Sequence, residues 1–469
     1  MLRVRLDNSY GKILNQLSIE VLNKVDKACS FFVKGAQFSP AYQRGFWDGR
    51  KRLFSSSTYK FPVGLASTVV KILKEYYKVE IEDLRIKPKK IFNVPFSAKL
   101  RDYQEEIVVN AVKAQRGIID SATGSGKTKI VLKIAQELGV KTLLVVNKKE
   151  ALYDSIKEAK ECFPGIEIGE YSGRKKKLGD FLTIVTVGAV AYCKKIKKGS
   201  KVIHTYPSLD FISAQGFQCI LGDEIHRAGS DTYLLIMLKI NAFYKYGATG
   251  TPFRTDGATL FLQAATGNII SSIKSYDLQK KGWLAKSKVF FVECNKPKEL
   301  DSPISANEAY KFGIVHNNYR NSLIYKIVEK ELGNSILILV ERIDHGEELI
   351  KNIKKIDPNA EFIQGKTKNR KELKEKFESG ELRTVVSTAI YTESANLPIL
   401  EVVINGASKK SGIRVIQGIG RALRPMKEEA RIYDFYDSFN FKMEAHSKER
   451  IKWVRKEKHE IIKLEEKDL

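Results

Sequence analysis

The chain opens on Leu2-Arg3-Val4-Arg5-Leu6, where apolar and charged positions alternate with a period of two. That period predicts a strand with one buried face. A helix is expected over Ile19–Phe32, followed by an aromatic and basic stretch from Phe38 to Phe54. Turn residues break this stretch repeatedly, which predicts hairpins or loops. Residues 81–97 lack a helical period and carry Pro88 and Pro95, so they are expected as a linker.

Beyond the linker the pattern changes. Short apolar runs at Arg116–Ser121, Thr142–Val146, Leu182–Val187, Cys219–Leu221 and Lys245–Ala248 alternate with helical stretches. The alternation resumes with Lys288–Glu293, Ser335–Val340, Ala360–Ile363, Thr384–Ser387 and Val402–Asn405. Strand–helix alternation predicts parallel sheets covered by helices on both faces. The expected class is α/β: two tandem units, 93–283 and 284–446, behind a small α+β domain, 1–92. Residues 447–469 space Ile451, Val454, Ile461 and Leu464 among charged residues and are expected as a terminal helix.

Composition narrows this picture. With 469 residues the chain is too long for one ordinary core, and 43% apolar with 29% charged residues suits a globular protein. No apolar run approaches the ~20 residues that span a bilayer, and the first residues lack an apolar signal core. A cytoplasmic location and no membrane partner are expected. Cys29, Cys162, Cys193, Cys219 and Cys294 are widely spaced without a CxxC pair, which argues against a zinc site or a disulfide framework. The net charge of +26 favours a nucleic-acid partner, although a generally basic surface has the same sign.

Three segments carry candidate chemistry. In Ile118-Ile119-Asp120-Ser121-Ala122-Thr123-Gly124-Ser125-Gly126-Lys127-Thr128, a strand runs into a helix through a glycine-containing turn, the context of a phosphate-binding loop. Gly124 and Gly126 let amides turn towards phosphate oxygens, with Thr123 and Ser125 between. Lys127 can reach the β- and γ-phosphates and Thr128 can offer a hydroxyl to Mg²⁺. Ser121 stands where such loops usually begin with glycine. Asp223-Glu224-Ile225-His226 ends an apolar run about 100 residues later. Asp223 is expected to hold Mg²⁺ through its water shell and Glu224 to polarise the attacking water. Finally, Arg421 and Arg424 lie three apart after Gln417, so on a helix they share one face. Arginine forks onto phosphate oxygens, and these two are expected as fingers on the γ-phosphate if the second unit packs on the first.

Taken in this order, the segments resemble superfamily-2 helicases and translocases, whose fold is two tandem RecA-like domains. Further segments fit. Leu100-Arg101-Asp102-Tyr103-Gln104 looks like the family's adenine-reading motif, which implies that Gln104 reads the base and Tyr103 stacks on it. Thr249-Gly250-Thr251 looks like the motif that couples hydrolysis to movement, and His226 is implied in the same coupling. Lys148, Thr186 and Gly188 sit where the family's first domain grips the strand. Gly365, Lys366 and Thr388 sit at the second-domain counterparts. Gly418 and Ser394 depart from the family's usual arginine and glycine.

The first domain narrows the resemblance. Phe38-Ser39-Pro40, Tyr42, Gly45, Trp47-Asp48-Gly49-Arg50, Arg52-Leu53 and Phe61-Pro62-Val63-Gly64-Leu65 are similar to the N-terminal domain of phage UvsW-like branch-migration helicases. This implies an ATP-dependent helicase, acting as a monomer on forked or branched DNA and single strands in replication, recombination and repair. From the residues themselves, Arg50, Lys51 and Arg52 are expected on phosphates, whereas Trp47 is expected in a core. The basic run Lys194–Lys201 reads as a loop, either gripping duplex or merely solvated. An RNA helicase, or a junction-binding protein without enzymatic activity, stands as the alternative.

Overall fold

The computed structural model describes residues 1–469 except 34, 123, 174, 199–200, 225–229, 251–257, 285, 298–299, 301–303, 389–399, 409–428 and 457. The contacts divide the chain into two units. One is Met1–Ser121 with Gly126–Ser272; the other is Ile273–Leu469 with the four loop residues Ala122–Ser125.

The first unit begins with β1 (Leu2–Leu6), β2 (Tyr10–Ile13), α1 (Ile19–Ala28), β3 (Ser30–Phe32), α2 (Pro40–Gln43), β4 (Arg50–Arg52), β5 (Lys60–Pro62), α3 (Ala66–Lys74) and β6 (Val79–Asp83). Leu2, Val4 and Leu6 of β1 are buried and Arg3 and Arg5 exposed, as the alternation requires. The sheet order is β5-β2-β1-β6. The first helix is shorter than its apolar pattern. Ser18 caps it, Oγ accepting from the Val21 amide at 3.4 Å. It stops at Ala28 because Ser30–Phe32 pairs antiparallel with β4. The expected linker is shorter too, since β6 takes its first residues and pairs parallel with β1.

There follow α4 (Asp102–Ala114), β7 (Arg116–Ser121), α5 (Lys127–Leu138), β8 (Thr142–Val146), α6 (Lys149–Cys162), β9 (Ile168–Ser172), β10 (Lys175–Lys177), β11 (Leu182–Thr186), α7 (Val187–Val190), β12 (Lys194–Lys198), β13 (Lys201–Thr205), α8 (Pro207–Ser213), β14 (Cys219–Asp223), α9 (Ser230–Lys239), β15 (Tyr244–Thr249), α10 (Ala258–Thr266) and β16 (Ile269–Ile273). The main sheet runs β10-β9-β11-β8-β14-β15-β7-β16. From β11 to β7 every pairing is parallel. β8 and β11 are buried at every position, as strands covered on both faces must be. The basic run expected as a loop is instead an antiparallel hairpin, β12–β13, hydrogen-bonded to neither main sheet.

The N-terminal domain shares one apolar core with this motor domain. Val63 and Leu65 cluster with Phe261, Leu262 and Ala265, and the rings of Phe31 and Phe261 meet edge-on at 5.3 Å. At Gly64 an added Cβ would fall 2.1 Å from the Gln263 carbonyl oxygen, so the chain passes directly over the backbone of α10.

The second unit holds α11 (Ser275–Lys280), β17 (Lys286–Cys294), α12 (Ala306–Tyr310), α13 (Asn318–Lys330), β18 (Ile336–Val340), α14 (Ile343–Ile356), β19 (Glu361–Ile363), α15 (Arg370–Ser379), β20 (Thr384–Thr388), β21 (Val402–Asn405), β22 (Glu429–Asp437), α16 (Phe441–Lys456) and β23 (Glu460–Leu464). Its sheet order is β19-β20-β18-β21-β22-β17-β23, parallel throughout. Residues 447–469, expected as one helix, are not one. The helix begins earlier and ends at Lys456, and Glu460–Leu464 adds an edge strand beside β17.

Candidate nucleotide and nucleic-acid sites

Parallel strands end at one edge of a sheet, and in α/β proteins ligands gather there. In the first unit that edge carries Ser121 of β7, Thr249 of β15, Asp223 of β14, and the residues that follow β8 and β11. The loop after β7 reaches α5 through Gly124 and Gly126, at φ 84° and 75°. Both angles are left-handed, where a side chain is strained. Gly126 is the N-cap of α5, so Lys127 and Thr128 lie in the first helical turn. A Cβ at Gly126 would meet Nε2 of Gln104 at 2.5 Å, so this glutamine lies directly against the loop. Its Oε1 accepts from the Arg101 amide at 2.9 Å. Tyr103, expected to stack on a base, is only 2% exposed, and its hydroxyl accepts from Arg101 at 3.1 Å. The structure therefore turns that ring inward.

The Lys127 ammonium lies 3.3 Å from Glu224 Oε1 and donates to the Ser121 carbonyl at 3.3 Å. These oxygens stand in for the phosphate oxygens the lysine is suited to hold. Glu224 has a left-handed φ of 49° just past the end of β14. Burial first, then the Glu224 carboxylate, raise the Asp223 carboxyl above its ordinary range, and Lys127 opposes them. Oδ1 of Asp223 is buried with no hydrogen-bond partner among the described residues. A buried carboxylate oxygen of this kind is costly unless a cation or donor satisfies it, so the donor set fits Mg²⁺ with its water shell. Sequence reasoning missed Glu158 on α6. The Thr128 side chain hydrogen-bonds it, and its charge also raises Asp223. No local motif marks it, because only packing of α6 on α5 brings it there.

Thr186 is 7% exposed at the end of β11, Gly188 is open to solvent, and Lys148 caps α6. In the second unit, Gly365 and Lys366 are exposed just after β19, and Thr388 ends β20 with a buried Oγ1. Thr123, His226, Thr251, Gln417, Arg421 and Arg424 lie outside the described residues.

The three cations expected on DNA all have intramolecular partners. Arg50 donates to the Ser30 hydroxyl and carbonyl at 3.0 and 3.1 Å, tying β4 to β3. Lys51 pairs with Asp231 of α9 and lies 5.2 Å from the Phe261 ring centre. Arg52 bridges Asp26 at 3.0 Å and Asp48 at 2.5 Å. Trp47 is half-buried, its indole donating to the Arg50 carbonyl at 2.8 Å. This domain also exposes Arg44, Phe38 and Phe46, the last 83% exposed.

Comparison with known proteins agrees with this arrangement. Residues 97–254 match the family model of the type III restriction enzyme res subunit, and residues 319–426 match the helicase conserved C-terminal domain. Residues 3–92 match the N-terminal domain of DNA helicase UvsW. The chain belongs to the superfamily-2 helicases, with a UvsW-type N-terminal domain. Its two α/β units are RecA-like helicase domains. Among curated relatives of this helicase family, the DNA 3'-5' translocase XPB2 of Sulfurisphaera tokodaii is 28% identical over 264 residues, 55% of this chain and 53% of that one. The chain spans little more than half the length of the first curated relatives it matches. In fold it resembles the type ISP restriction-modification enzyme LlaBIII bound to DNA, at 14% identity and TM-score 0.56, over 85% of this chain and 36% of that one. It equally resembles S. cerevisiae Dbp5 bound to RNA, at 13% identity and TM-score 0.55, over 79% and 91%. The fold therefore does not by itself choose between DNA and RNA.

Proposed function

We propose that this protein is an ATP-dependent DNA helicase or translocase that acts on branched DNA, regressing forks and migrating junctions. The observation that carries the motor reading is the meeting of Lys127 with Glu224 beside Asp223 at one sheet edge. A basic side chain for phosphate, a carboxylate for metal and a carboxylate for water are the parts that ATP hydrolysis needs. Lys127 holds the phosphates, and Glu224 orients a water for addition to the γ-phosphorus as the bond to the bridging oxygen breaks. Thr128 and Asp223 would hold Mg²⁺, which neutralises phosphate charge when bound. Arg421 and Arg424 add positive charge for the transferred group. The branched-DNA reading is supported by the match of residues 3–92 to the UvsW N-terminal domain and by the net charge of +26. Strand contacts of this kind are chiefly to phosphates, so sequence preference should be weak.

The test is ATPase and unwinding on forked, Holliday-junction and linear DNA, with single-stranded RNA as a further arm. The expected result is strongest stimulation by branched DNA, with Lys127→Ala abolishing stimulated hydrolysis while DNA binding persists. Full ATPase in that variant removes the motor reading, equal activity on linear duplex removes the branch preference, and stronger stimulation by RNA moves the track to RNA.

A further inference from the structure

The hairpin β12–β13 is rooted in the first unit, close to the sheet edge that carries the residues expected to grip a strand. β11 ends at Thr186, α7 follows with Gly188, and Ala191, Tyr192 and Cys193 lead into Lys194. The chain returns through Tyr206 into α8. Val190, Leu209 and Ile212 are buried in the core of the unit, and Tyr206 packs against that core. At the base of the hairpin Cys193 Sγ and His204 Nδ1 lie 3.2 Å apart, and the Thr205 hydroxyl donates to the Lys194 carbonyl at 3.3 Å. Apolar packing and these two contacts hold the root in place.

The run carries Lys194, Lys195, Lys197, Lys198 and Lys201, and between Asp180 and Asp210 the chain has no acidic residue. Lys194 and Lys195 are exposed. Runs of like charge ordinarily stay unstructured. This one is folded, with Lys198 directly opposite Lys201 at the last pair before the turn. Like charges so placed destabilise a ribbon, and two strands without a larger sheet are marginal in any case. The lysines of β10, on the same unit, are offset by carboxylates: Lys175 pairs with Glu170 and Lys177 with Glu167. The hairpin sequence brings no carboxylate of its own, and an external polyanion supplies the missing charge.

Two features favour a duplex over a single strand. Single-strand sites stack bases on aromatic rings beside their cations, and no Phe, Tyr or Trp lies between Tyr192 and Tyr206. A two-stranded ribbon fits the major groove, and at ~3.3 Å per residue each five-residue strand reaches about 16 Å. We propose that β12–β13 is a duplex-gripping arm whose lysines contact the phosphates of double-stranded DNA. This inference rests on the proposed motor function and deepens it: the edge at Thr186 and Gly188 holds the tracked strand, and the hairpin holds duplex beside it.

The test is binding of the full chain to blunt duplex and to single-stranded DNA from about 50 to about 200 mM salt. Each phosphate contact on duplex steepens the fall of log affinity with log salt by about 0.9. Lys194→Gln, Lys195→Gln, Lys197→Gln, Lys198→Gln and Lys201→Gln combined are expected to make the duplex slope shallower by roughly 3 or more. The single-strand slope should change by less than ~1, and the melting temperature should hold or rise as repulsion is relieved. Lys194→Gln with Lys195→Gln, confined to exposed positions, should lower the duplex slope by nearly ~2. An unchanged duplex slope in both variants overturns the inference. So does an equal fall on duplex and single strand, which marks a general effect of net charge. A wild type without DNA-stimulated ATPase that still shows the hairpin-dependent slope overturns the motor reading and leaves the duplex contact standing. An active wild type whose duplex slope is the same with and without the lysines overturns this inference alone.

Discussion

Lys245 offers a quantitative test of how the N-terminal domain is fastened to the motor. It lies on the interior strand β15, fully buried, and its ammonium donates to Ser9 Oγ at 3.1 Å, Met237 O at 2.6 Å and Ile240 O at 3.1 Å. Ser9 belongs to the turn between β1 and β2, so one side chain spans both domains. Burial first, then the Arg116 guanidinium, push its pKa from 10.5 down to about 7, weakly opposed by Asp7. Between these values the unfolded chain binds a proton that the folded chain has released, so stability rises with pH across that window. The full difference corresponds to roughly 5 kcal/mol of charge-burial cost, at ~1.4 kcal/mol per pH unit. Lys245→Met removes the titration and leaves three buried acceptors short of this donor, each costing about 1–3 kcal/mol. Near pH ~6 the relieved charge and the lost hydrogen bonds roughly offset one another. From pH ~7 to ~9 the wild type should gain about 2–3 kcal/mol that the variant does not. Urea unfolding of both proteins across this range measures the gap, since titrations common to both cancel. Parallel stability profiles would refute the reasoning.

Two further outcomes follow from the same unit. Gly64→Ala places a Cβ 2.1 Å from the Gln263 carbonyl, a backbone atom that cannot swing aside, so a loss of at least ~1–3 kcal/mol and a lower melting temperature are expected; an unchanged melting curve contradicts the close approach. Phe46→Ala removes an 83% exposed ring, so the fold should be untouched while affinity for forked DNA falls about tenfold, the loss of ~1–3 kcal/mol of base stacking; wild-type affinity would show that the ring meets no base.

The two α/β units were legible in the chain because buried parallel strands are continuous apolar runs, and the phosphate loop because its residues are contiguous. Asp223 and Glu224 were legible because a strand end is local. What was not legible depends on partners that only the fold brings together. Lys51 looks like a phosphate contact until Asp231, 180 residues away, is beside it. Arg50 bonds Ser30, and Arg52, though exposed, bridges Asp26 and Asp48. The strand at Glu460–Leu464 passed for helix because its charged and apolar residues suit either period, and only pairing with β17 decides. Lys245 sits within Tyr-Lys-Tyr-Gly, where alternation places a lysine on the surface, and Arg320 and Arg450, buried in ion pairs with Asp437 and Asp434, look like ordinary charges of amphipathic helices. Buried polar networks leave no periodic trace in a single sequence.

The passage of Val63–Leu65 over the backbone of α10 also bears on how such chains diversify. A domain joined by a polar linker can be exchanged between relatives by a single recombination event. Here the seam combines apolar packing with the Lys245–Ser9 and Lys51–Asp231 contacts and is sterically specific, down to the absence of a Cβ at position 64. A foreign N-terminal domain would arrive without the matching surface and leave Phe261 and Leu262 uncovered. Inheritance of a new substrate specificity through this domain therefore requires that α9 and α10 travel with it, or that both sides of the seam change in concert.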